Sequence, residues 1–451
     1  MKYISLPLTI VLALSQISMA HARQDDITVT IQGMPTHLSS LKVTLQPNNN
    51  FSPIIQNIHL NQGKGSGTFS LPDGGVFTLQ TQAVAGYVPT YSPQQLAAAT
   101  DKTANISFSK LSDTAGRLIT YVPTWKALPP AQELSNAGYT HAIIAFGVFS
   151  TSKPGVIVPS FNDEMVGYIQ GLHRANLKVL LSLGGASSSL PNTVTDFDQV
   201  LSAASSPDIF KETFISSLHD LIVKYDFDGF DIDIETGLNS QGSFAQPSGD
   251  IAVLADIINT MYLQNEDLLI SLAPQAANIS ATSGFDGTWG NYAALIMKTY
   301  PSLAWVGIQI YNTGCVNGVN GVCYDQTKID SPDFSVAMAV DLLSDWPAKL
   351  PGGQASGFQP YIAYLKPSQI VLGYPAPNAS GKSDGQAVIP TSTIKHAIQC
   401  LSMKKNCDTY TPPTAYGSIG GVFEWEISYD KDNNYKFATD LKKCVIDANC
   451  D

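Results

Sequence analysis

The sequence predicts an α/β protein, a (β/α)8 TIM barrel preceded by a small all-β sandwich domain. Three observations lead to this prediction. From residue 116 on, eight apolar strand-like runs alternate with amphipathic stretches; before it, short alternating runs are separated by turn residues; and one of the eight runs carries acids at every second position. Near-continuous apolar strands belong to parallel sheets covered on both faces, and eight of them fit a closed barrel.

The first 22 residues have the pattern of a secretory signal peptide. Lys2 is the charged start, residues 6–14 are an apolar run, and small residues at Ala20 and Ala22 offer a cleavage site. The run is too short to span a bilayer. We therefore expect a secreted protein, extracellular or, in a Gram-negative source, periplasmic.

Residues 23–113 predict an N-terminal β-sandwich domain of the Ig/FnIII-like kind. Apolar and polar residues alternate in runs such as 27–31 and 41–45, and glycine-rich or asparagine-rich turns separate them. This segment contains no Trp. A ligand-binding role and a spacer or stabilising role are both open for it. A linker is predicted near residues 109–115, and residues 114–451 are predicted to form the barrel.

The barrel prediction depends on the eight apolar runs and their order. Amphipathic helical stretches separate them, which indicates βα units in a parallel sheet. In sequence order the predicted strands are residues 117–122, 141–149, 178–185, 227–235, 267–276, 304–312, 370–375 and 418–425.

The fourth run ends in YDFDGFDIDIE, residues 225–235. Asp231, Asp233 and Glu235 are spaced two residues apart, with apolar residues between them. Side chains alternate faces along a strand, so the three carboxyls share one face. We expect that face to line a polar cleft, because a packed core does not tolerate unpaired charge. An edge strand with protective charges is the alternative interpretation.

Carboxyls spaced in this way stand about 6–7 Å apart, so at least one should keep its proton near neutral pH. A proton held beside a carboxylate suits acid catalysis. Glu235 ends the strand and is expected at the barrel mouth, where TIM barrels carry their chemistry, with Asp231 deeper. Asp228 breaks the alternation and is interpreted as structural.

Other predicted strand ends carry glycine, polar or aromatic residues instead of aliphatic ones. Strand three ends at Gly184 and Gly185, which allow a ligand close to the backbone. Strand six places Gln309 and Tyr311 on one face, and strand eight ends at Trp425. Taken singly, these are ordinary turn or core residues. They indicate a binding site only because they occur together at the strand ends.

The stretch DGFDIDIE, residues 228–235, resembles the D-x-x-D-x-D-x-E signature of glycoside hydrolase family 18, the chitinase family. The SLGG at residues 182–185 is similar to the S-x-G-G motif after strand three of that family. The ends of strands five, six and eight resemble those of plant class III and short bacterial chitinases. The resemblance covers roughly residues 116–430.

The resemblance implies roles for individual residues. Glu235 is similar to the general acid, which later acts as base. Asp233 resembles the residue that holds the substrate N-acetyl group, Asp231 resembles its deeper proton-sharing partner, and Tyr311 resembles a donor to the same acetamide. The substrate-binding positions implied are Trp425, Gln275, Gln309, Asn312, Tyr121, Phe146 and Gly185.

The resemblance also implies a retaining, substrate-assisted mechanism. An ordinary retaining glycosidase holds its acid and its nucleophilic carboxylate about 5–5.5 Å apart across the bond. Asp233 and Glu235 are neighbours on one strand, so the N-acetyl carbonyl of the substrate would be the nucleophile. Glu424 or Glu426 is the rival nucleophile, but both flank Trp425 and point away if Trp425 faces the cleft.

We therefore expect a secreted chitinase, a glycosidase that hydrolyses β-1,4-linked N-acetylglucosamine. The short connection between strands seven and eight lacks the insertion of larger family members, which favours an open groove and endo-type cleavage. One alternative is an endo-β-N-acetylglucosaminidase acting on glycoprotein glycans. Another is a non-catalytic chitin-binding lectin, which the presence of Glu235 disfavours.

Composition limits the partners. The 451 residues are 44% apolar and 14% charged, with a net charge of −12, which disfavours nucleic acids and anionic membranes. Chitin or its oligosaccharides are neutral and suit this surface. We expect a monomer with no cofactor and no metal.

The cysteines form three local groups, and export makes disulfides plausible. Connectivity cannot be deduced from sequence, and pairing of near neighbours is the simplest interpretation. The neighbouring pairs are Cys315 with Cys323, Cys400 with Cys407, and Cys444 with Cys450.

Overall fold

The computed structural model describes residues 24–34, 38–48, 51–81, 87–110, 116–280, 284–346, 363, 365–378, 380–447 and 449–450. The predicted signal peptide and residues 111–115 of the predicted linker lie outside these ranges. The chain divides into two compact units, one chiefly of residues up to Ser109 and the other from Lys110 on. The predicted boundary at residues 113 and 114 stays a prediction. Within the ranges given, no helix is both long and apolar enough to cross a membrane.

The N-terminal unit consists of two four-stranded sheets. Alternate residues are buried along the central strands, as at Ile27, Val29, Leu41 and Val43, so each sheet has one apolar face. This is the alternation that the sequence predicts. In spatial order, one sheet contains Gly65–Pro72, Gln24–Gln32, Thr103–Lys110 and Tyr87–Ser92, and the other contains Ile54–His59, Ser40–Pro47, Val76–Thr81 and Gln95–Ala97.

The C-terminal unit is a closed barrel of eight parallel strands. Each strand pairs with the next, and the eighth pairs with the first, which closes the sheet. The predicted fold class is therefore confirmed. The barrel strands are β1 (Arg117–Pro123), β2 (His141–Ser150), β3 (Lys178–Gly185), β4 (Gly229–Ile234), β5 (Leu269–Leu272), β6 (Trp305–Gln309), β7 (Ile370–Pro375) and β8 (Gly421–Trp425).

Helices surround this barrel and fill the connections between its strands. The α-helices are α1 (Ala131–Ala137), α2 (Met165–Arg174), α3 (Phe197–Ser202), α4 (Pro207–Tyr225), α5 (Gly249–Gln264), α6 (Asn291–Thr299), α7 (Asp333–Leu343), α8 (Thr391–Met403), α9 (Ile427–Asp432) and α10 (Lys436–Ile446). Single 3-10 turns cover Ala276–Asn278, Tyr300–Ser302 and Pro367–Gln369. Short outer strands are Ile157–Pro159, Thr193–Val194, Gln241–Gly242, Pro247–Ser248, Cys315–Asn317 and Cys323–Asp325.

The predicted strands agree with the observed ones in number and order, and β3 and β7 agree residue for residue. The predicted fifth strand, residues 267–276, is longer than β5, which covers Leu269–Leu272. Proline at position 274 explains part of the difference, because it has no N–H to donate to the ladder. Apolar continuity identifies a strand more reliably than it locates the strand's ends.

Helix α4 directly precedes the acidic strand β4. It begins where the Ser206 side chain accepts a hydrogen bond from the Ile209 N–H and Pro207 occupies the first turn. It ends at Asp226, which adopts a left-handed conformation with φ 65°. The chain therefore reverses within a few residues and enters β4 at Gly229.

Large aromatic side chains fill part of the barrel interior. Phe423 on β8 lies against Tyr121 of β1, with ring centroids 5.3 Å apart. A Cβ at Gly373 of β7 would meet the Phe423 ring at 1.9 Å. Glycine at this position therefore makes room for the ring, and the barrel is packed rather than hollow.

The structure pairs the cysteines between near neighbours. The disulfides are Cys315–Cys323, Cys400–Cys407 and Cys444–Cys450. The simplest interpretation of the sequence is thus the arrangement adopted, and each bridge closes a short loop.

Candidate active site

The register of β3, β4 and β5 places two hydroxyls beside the deepest acid. Asp231 lies opposite Ser182 on one side and Ser271 on the other. Both seryl hydroxyls donate to its carboxylate, at 2.9 and 2.7 Å, and the Tyr121 hydroxyl donates at 2.9 Å. Asp231 is only 1% exposed. Three neutral donors therefore hold this buried carboxyl in one position.

Asp233 is also buried, one step nearer the mouth. Its Oδ1 accepts a hydrogen bond from Gln309 Nε2 at 2.9 Å. The same nitrogen donates to the Ala273 carbonyl at 2.9 Å, which fixes the amide orientation. Gln309 was predicted as a cleft-lining residue, and the structure makes it a direct neighbour of the acids.

Glu235 follows the last residue of β4 and is partly exposed, whereas the other two acids are buried. The alternation therefore places all three carboxyls on the inner face, from the deep Asp231 to the outer Glu235. Phe230, Ile232 and Ile234 between them are buried in the layer under the helices. The predicted division of β4 into an acidic and an apolar face thus matches the structure.

The pKa values of the three acids are all raised. Burial raises the pKa of Asp231 to about 6, although hydrogen bonds from Ser271, Ser182 and Tyr121 oppose the shift. Burial, then the charges of Glu235 and Asp231, raises the pKa of Asp233 well above its ordinary value. Burial also raises the pKa of Glu235. These directions agree with the expectation that one carboxyl keeps its proton.

Aromatic rings border the acids on the β8, β1 and β2 side. The Trp425 ring is stacked on Phe146 with centroids 5.9 Å apart and lies 5.6 Å from Tyr121. Trp125, in the segment after β1, is 6.0 Å from Phe146 and 6.4 Å from Trp425. We call Tyr121, Trp125, Phe146 and Trp425 the aromatic surface.

Trp125 is the residue of this surface that the sequence analysis missed. It is 57% exposed, and because it adjoins Phe146 and Trp425 it adds to a contiguous apolar patch instead of standing alone. The signal was present in the sequence, because Trp125 follows the end of the predicted first strand by three residues. The other predicted site residues lie within the predicted strands, whereas Trp125 lies beyond the end of its strand.

The glycines after β3 make space for this arrangement. Gly185 has φ 82°, and a Cβ there would meet the Phe146 ring at 2.7 Å. A Cβ at Gly184 would lie 2.5 Å from the Asp233 carbonyl oxygen. Any larger residue would therefore displace either the aromatic surface or the acidic strand.

The other predicted site residues lie around the β5 and β6 ends. Tyr311 is buried near the acids, whose charges, after burial, raise its pKa further. Gln275 is half-buried and forms a backbone bridge with Gln309. Asn312 is exposed, and its side-chain oxygen accepts from the Gln386 N–H at 2.9 Å, which ties two loops together. Asn312 is therefore placed at the rim with its amide oxygen already engaged.

The rival glutamates face away from the cleft. Glu424 is fully buried and accepts hydrogen bonds from Thr120 at 2.7 Å and Tyr139 at 2.6 Å. Glu426 is fully buried and accepts from the Ser428 N–H at the start of α9. Neither stands across the cleft from Glu235 as a nucleophile would. In the ranges described, no group of three or more His, Cys, Asp or Glu is arranged to hold a metal ion.

Comparisons with known proteins agree with this geometry. The model of the family described as Glycosyl hydrolases family 18 matches residues 117–446. The crystal structure of the Legionella pneumophila ChiA C-terminal domain is 64% identical, with a TM-score of 0.72, and the match covers 74% of this chain and 100% of that one.

Curated relatives with chitinase names also match this chain, and two of them are described here. Exochitinase 1 of Streptomyces olivaceoviridis is 27% identical over 289 residues, which cover 61% of this chain and 44% of the relative. Chitinase D of Niallia circulans is 28% identical over 324 residues, which cover 68% and 57%. The chain thus spans about half the length of these curated relatives. Since the family match covers most of the chain and all eight barrel strands, the protein belongs to glycoside hydrolase family 18.

Proposed function

We propose that this protein is a chitinase that hydrolyses the β-1,4 bonds between N-acetylglucosamine residues. The observation that carries the proposal is the row of three carboxyls on β4, with Glu235 at the mouth. The aromatic surface borders this row through Tyr121, whose hydroxyl binds Asp231. Apolar ring faces beside polar groups suit a sugar, which has apolar faces and hydroxyl edges.

The positions of the acids support distinct roles. Glu235 is the partly exposed acid, so it can reach a glycosidic oxygen and donate its proton. Asp233 is buried beside it and would orient the substrate acetamide, with Asp231 behind it to share negative charge or a proton. Tyr311 would donate a hydrogen bond to the acetamide. Burial raises the pKa values of Asp233 and Glu235, which favours their protonated forms at mildly acidic pH.

We further propose that the substrate supplies the nucleophile. The acetamide carbonyl oxygen attacks the anomeric carbon, while the bond to the leaving oxygen breaks and that oxygen takes the proton of Glu235. The resulting oxazolinium ion is then opened by water, whose proton returns to Glu235, so the anomeric configuration is retained. The outward direction of Glu424 and Glu426 supports this route, and the family is a known exception to two-carboxylate catalysis.

We propose that the groove is open and that cleavage is of the endo type. Between β7 and β8, the described residues contain one helix, α8, and no strand. A wall over the cleft would need additional structure in this connection. We propose that a chitin chain can therefore lie across the site with sugars on both sides of the cleaved bond.

We propose that the protein acts outside the cytoplasm as a monomer. The three disulfides support this location, since such bonds persist in oxidising compartments. The leader-like sequence of residues 1–22 points the same way.

The deciding experiment is hydrolysis of a chitin hexamer, with the anomers of early products resolved by NMR. We expect β-anomeric products from the wild type, at internal bonds, and at least a thousandfold slower hydrolysis by Glu235→Gln. Glu212→Gln, an exposed glutamate on α4, is the matched control and should keep full activity.

Two results would overturn parts of the proposal. α-Anomeric products would exclude the substrate-assisted route, and release of products only from a chain end would exclude endo-type cleavage. Absence of hydrolysis by the wild type would reject chitin as the substrate, and a high-mannose glycopeptide would then test the glycoprotein-directed alternative.

A further inference from the structure

Lys126, which follows the exposed Trp125, joins three parts of the barrel mouth. Its Nζ donates to Glu426 Oε1 at 2.7 Å, lies 3.8 Å from Asp384 Oδ2 and stands 4.3 Å from the centre of the Tyr429 ring. Tyr429 donates its hydroxyl to Asp384. These four residues, which we call the Lys126 cluster, come from the segments after β1, β7 and β8.

Glu426 gives the cluster a fixed anchor. Its side chain is fully buried, and the Ser428 N–H donates to Oε2 at 2.9 Å at the start of α9. The Lys126 side chain is 31% exposed, so the pair has one end inside the protein and one at the surface. A buried carboxylate without its cation is costly, so Glu426 keeps the Lys126 ammonium in one place.

Thr124, which precedes Trp125, is also held in place by hydrogen bonds. The Thr124 N–H and hydroxyl both donate to the Ala145 carbonyl, at 3.2 and 3.1 Å. The same hydroxyl lies 2.8 Å from the Ser160 hydroxyl. Trp125 is therefore exposed, yet it sits between two neighbours whose positions are fixed.

A fixed exposed ring is suited to binding. A mobile side chain loses rotamer freedom when a ligand orders it, and this loss reduces affinity. A ring that is already ordered avoids much of that cost. Trp125 also extends the aromatic surface outward from Trp425, since its centroid is 6.4 Å away.

We propose that Lys126 is a positioning residue that fixes Trp125 as a binding surface for sugars farther from the cleaved bond than the one on Trp425. The inference rests on the proposed function and deepens it, because it names the residue that sets affinity for longer oligomers. Lys126 touches no reacting atom. It acts through Trp125, so its loss should alter binding of long substrates more than the rate of bond cleavage.

The kinetic test compares the 4-nitrophenyl glycosides of chitobiose and chitotriose. We expect Lys126→Met to raise KM for the trioside at least fivefold, with KM for the bioside and kcat for both within twofold of wild type. Trp125→Ala should raise KM for the trioside at least as much as Lys126→Met does. Lys126→Arg should stay within twofold of wild type for both substrates, since it keeps the charge on Glu426.

Two further variants separate positioning from folding. Lys382→Met, a surface lysine on the same connection as Asp384, is the matched control and should change neither KM. Lys126→Met combined with Glu426→Gln removes both charges of the buried pair, and it should keep the trioside defect even where the single variant is poorly folded. Equal changes for the two substrates, or an unchanged trioside KM in folded protein, would overturn the proposal.

A readout without substrate keeps this test separate from the proposed function. The protein contains five Trp residues, so labelling with 5-fluorotryptophan gives few ¹⁹F resonances, and Trp125→Phe identifies one of them. We expect that resonance to shift and sharpen in Lys126→Met but not in Lys382→Met. An unaffected resonance would overturn the positioning role, whereas an inactive wild type would reject only the proposed function.

Discussion

Asp231 illustrates what a buried carboxyl costs the fold. It is buried, and its folded-state pKa of about 6 lies above the ordinary 3.8. The folded protein therefore binds this proton more tightly than the unfolded chain does. The contribution of Asp231 to stability is therefore most favourable below pH 4, falls between pH 4 and 6 as the unfolded chain loses its proton first, and stays lower above pH 6.

Replacing Asp231 by Asn should remove the loss of stability that ionisation of this carboxyl causes between pH 4 and 6. A shift of about two pKa units corresponds to about 3 kcal/mol. We expect the loss of unfolding free energy between pH 4 and pH 7 to be smaller in Asp231→Asn by about this amount, as measured by urea unfolding. Asp73→Asn, at an exposed turn, is the control. Equal losses in the variant and the wild type would contradict the buried-charge explanation.

Gln309 influences the pKa values of two of the three acids. Its hydrogen bonds lower the pKa of both Asp233 and Glu235, against the larger raising effect of burial. Removing the donor should therefore raise both pKa values further. For Gln309→Leu we expect the alkaline limb of kcat, which follows loss of the Glu235 proton, to move to higher pH, and kcat itself to fall. A pH–rate profile checks this, and an alkaline limb that stays or moves to lower pH would exclude the tuning role.

At the scale of elements, a buried histidine joins the helices to the acidic strand. His173 on α2 lies 2.9 Å from Asp228 and 3.3 Å from Asp226. Asp228 also accepts the Val179 N–H at the start of β3, at 2.7 Å. The structural interpretation of Asp228 thus has a concrete basis, because it links α2, β3 and the entrance to β4.

The His173 contact should be a large contribution to stability. Burial alone would lower the pKa of His173, but the charge of Asp228 and the hydrogen bonds to Asp226 and Asp228 outweigh it and raise the pKa to about 10. The folded value is raised, so the stabilisation is complete below pH 6.5 and is lost as pH rises through 10.

We expect His173→Gln to lose about 3–5 kcal/mol of unfolding free energy at pH 7, because it leaves the buried Asp228 carboxylate without its cation. Guanidinium unfolding measures the loss. The matched variant His219→Gln, on the exposed side of α4, should lose less than about 0.5 kcal/mol. A difference between the two that persists unchanged at pH 11 would argue against the ionic origin.

The secondary-structure elements also explain which site residues can be predicted from the sequence. Alternation on β4 was enough to group Asp231, Asp233 and Glu235, because strand geometry converts spacing directly into a shared face. Trp125 and Lys126 lie in a segment without periodicity. Their importance comes from contacts with Phe146 and Glu426, which are distant in sequence and meet only when the barrel closes.

At the scale of the whole molecule, the chain order of the apolar runs was sufficient to predict the barrel. Eight covered strands have one common closed arrangement, and the β8–β1 pairing completes it. The family resemblance, confirmed by the family match, implies roles for residues such as Trp425 that periodicity could not assign, and these roles stay predictions. The function of the N-terminal unit stayed open, because sandwich domains carry many functions and its strands contain no distinguishing motif.

The N-terminal unit has a hydrophobic core of its own. Each unit has its own buried residues, such as Leu41 and Val43 in the first and Ile232 and Ile270 in the second, so the barrel should fold alone. Residues 23–113 contain no Trp, and the described large apolar residues exposed in that unit are Phe51, Ile55 and Val76. Such a surface has little of the aromatic area that binds sugars.

We therefore expect residues 116–451 to hydrolyse a soluble chitin hexamer with kcat/KM within twofold of the full chain. Binding to insoluble chitin should also stay within twofold, as expected for a spacer. The full chain carrying Glu235→Gln provides the binding control without hydrolysis. A tenfold loss of binding to the insoluble polymer, with soluble activity retained, would instead identify the N-terminal unit as a carbohydrate-binding module, because only a surface that contacts the polymer separates these two measurements.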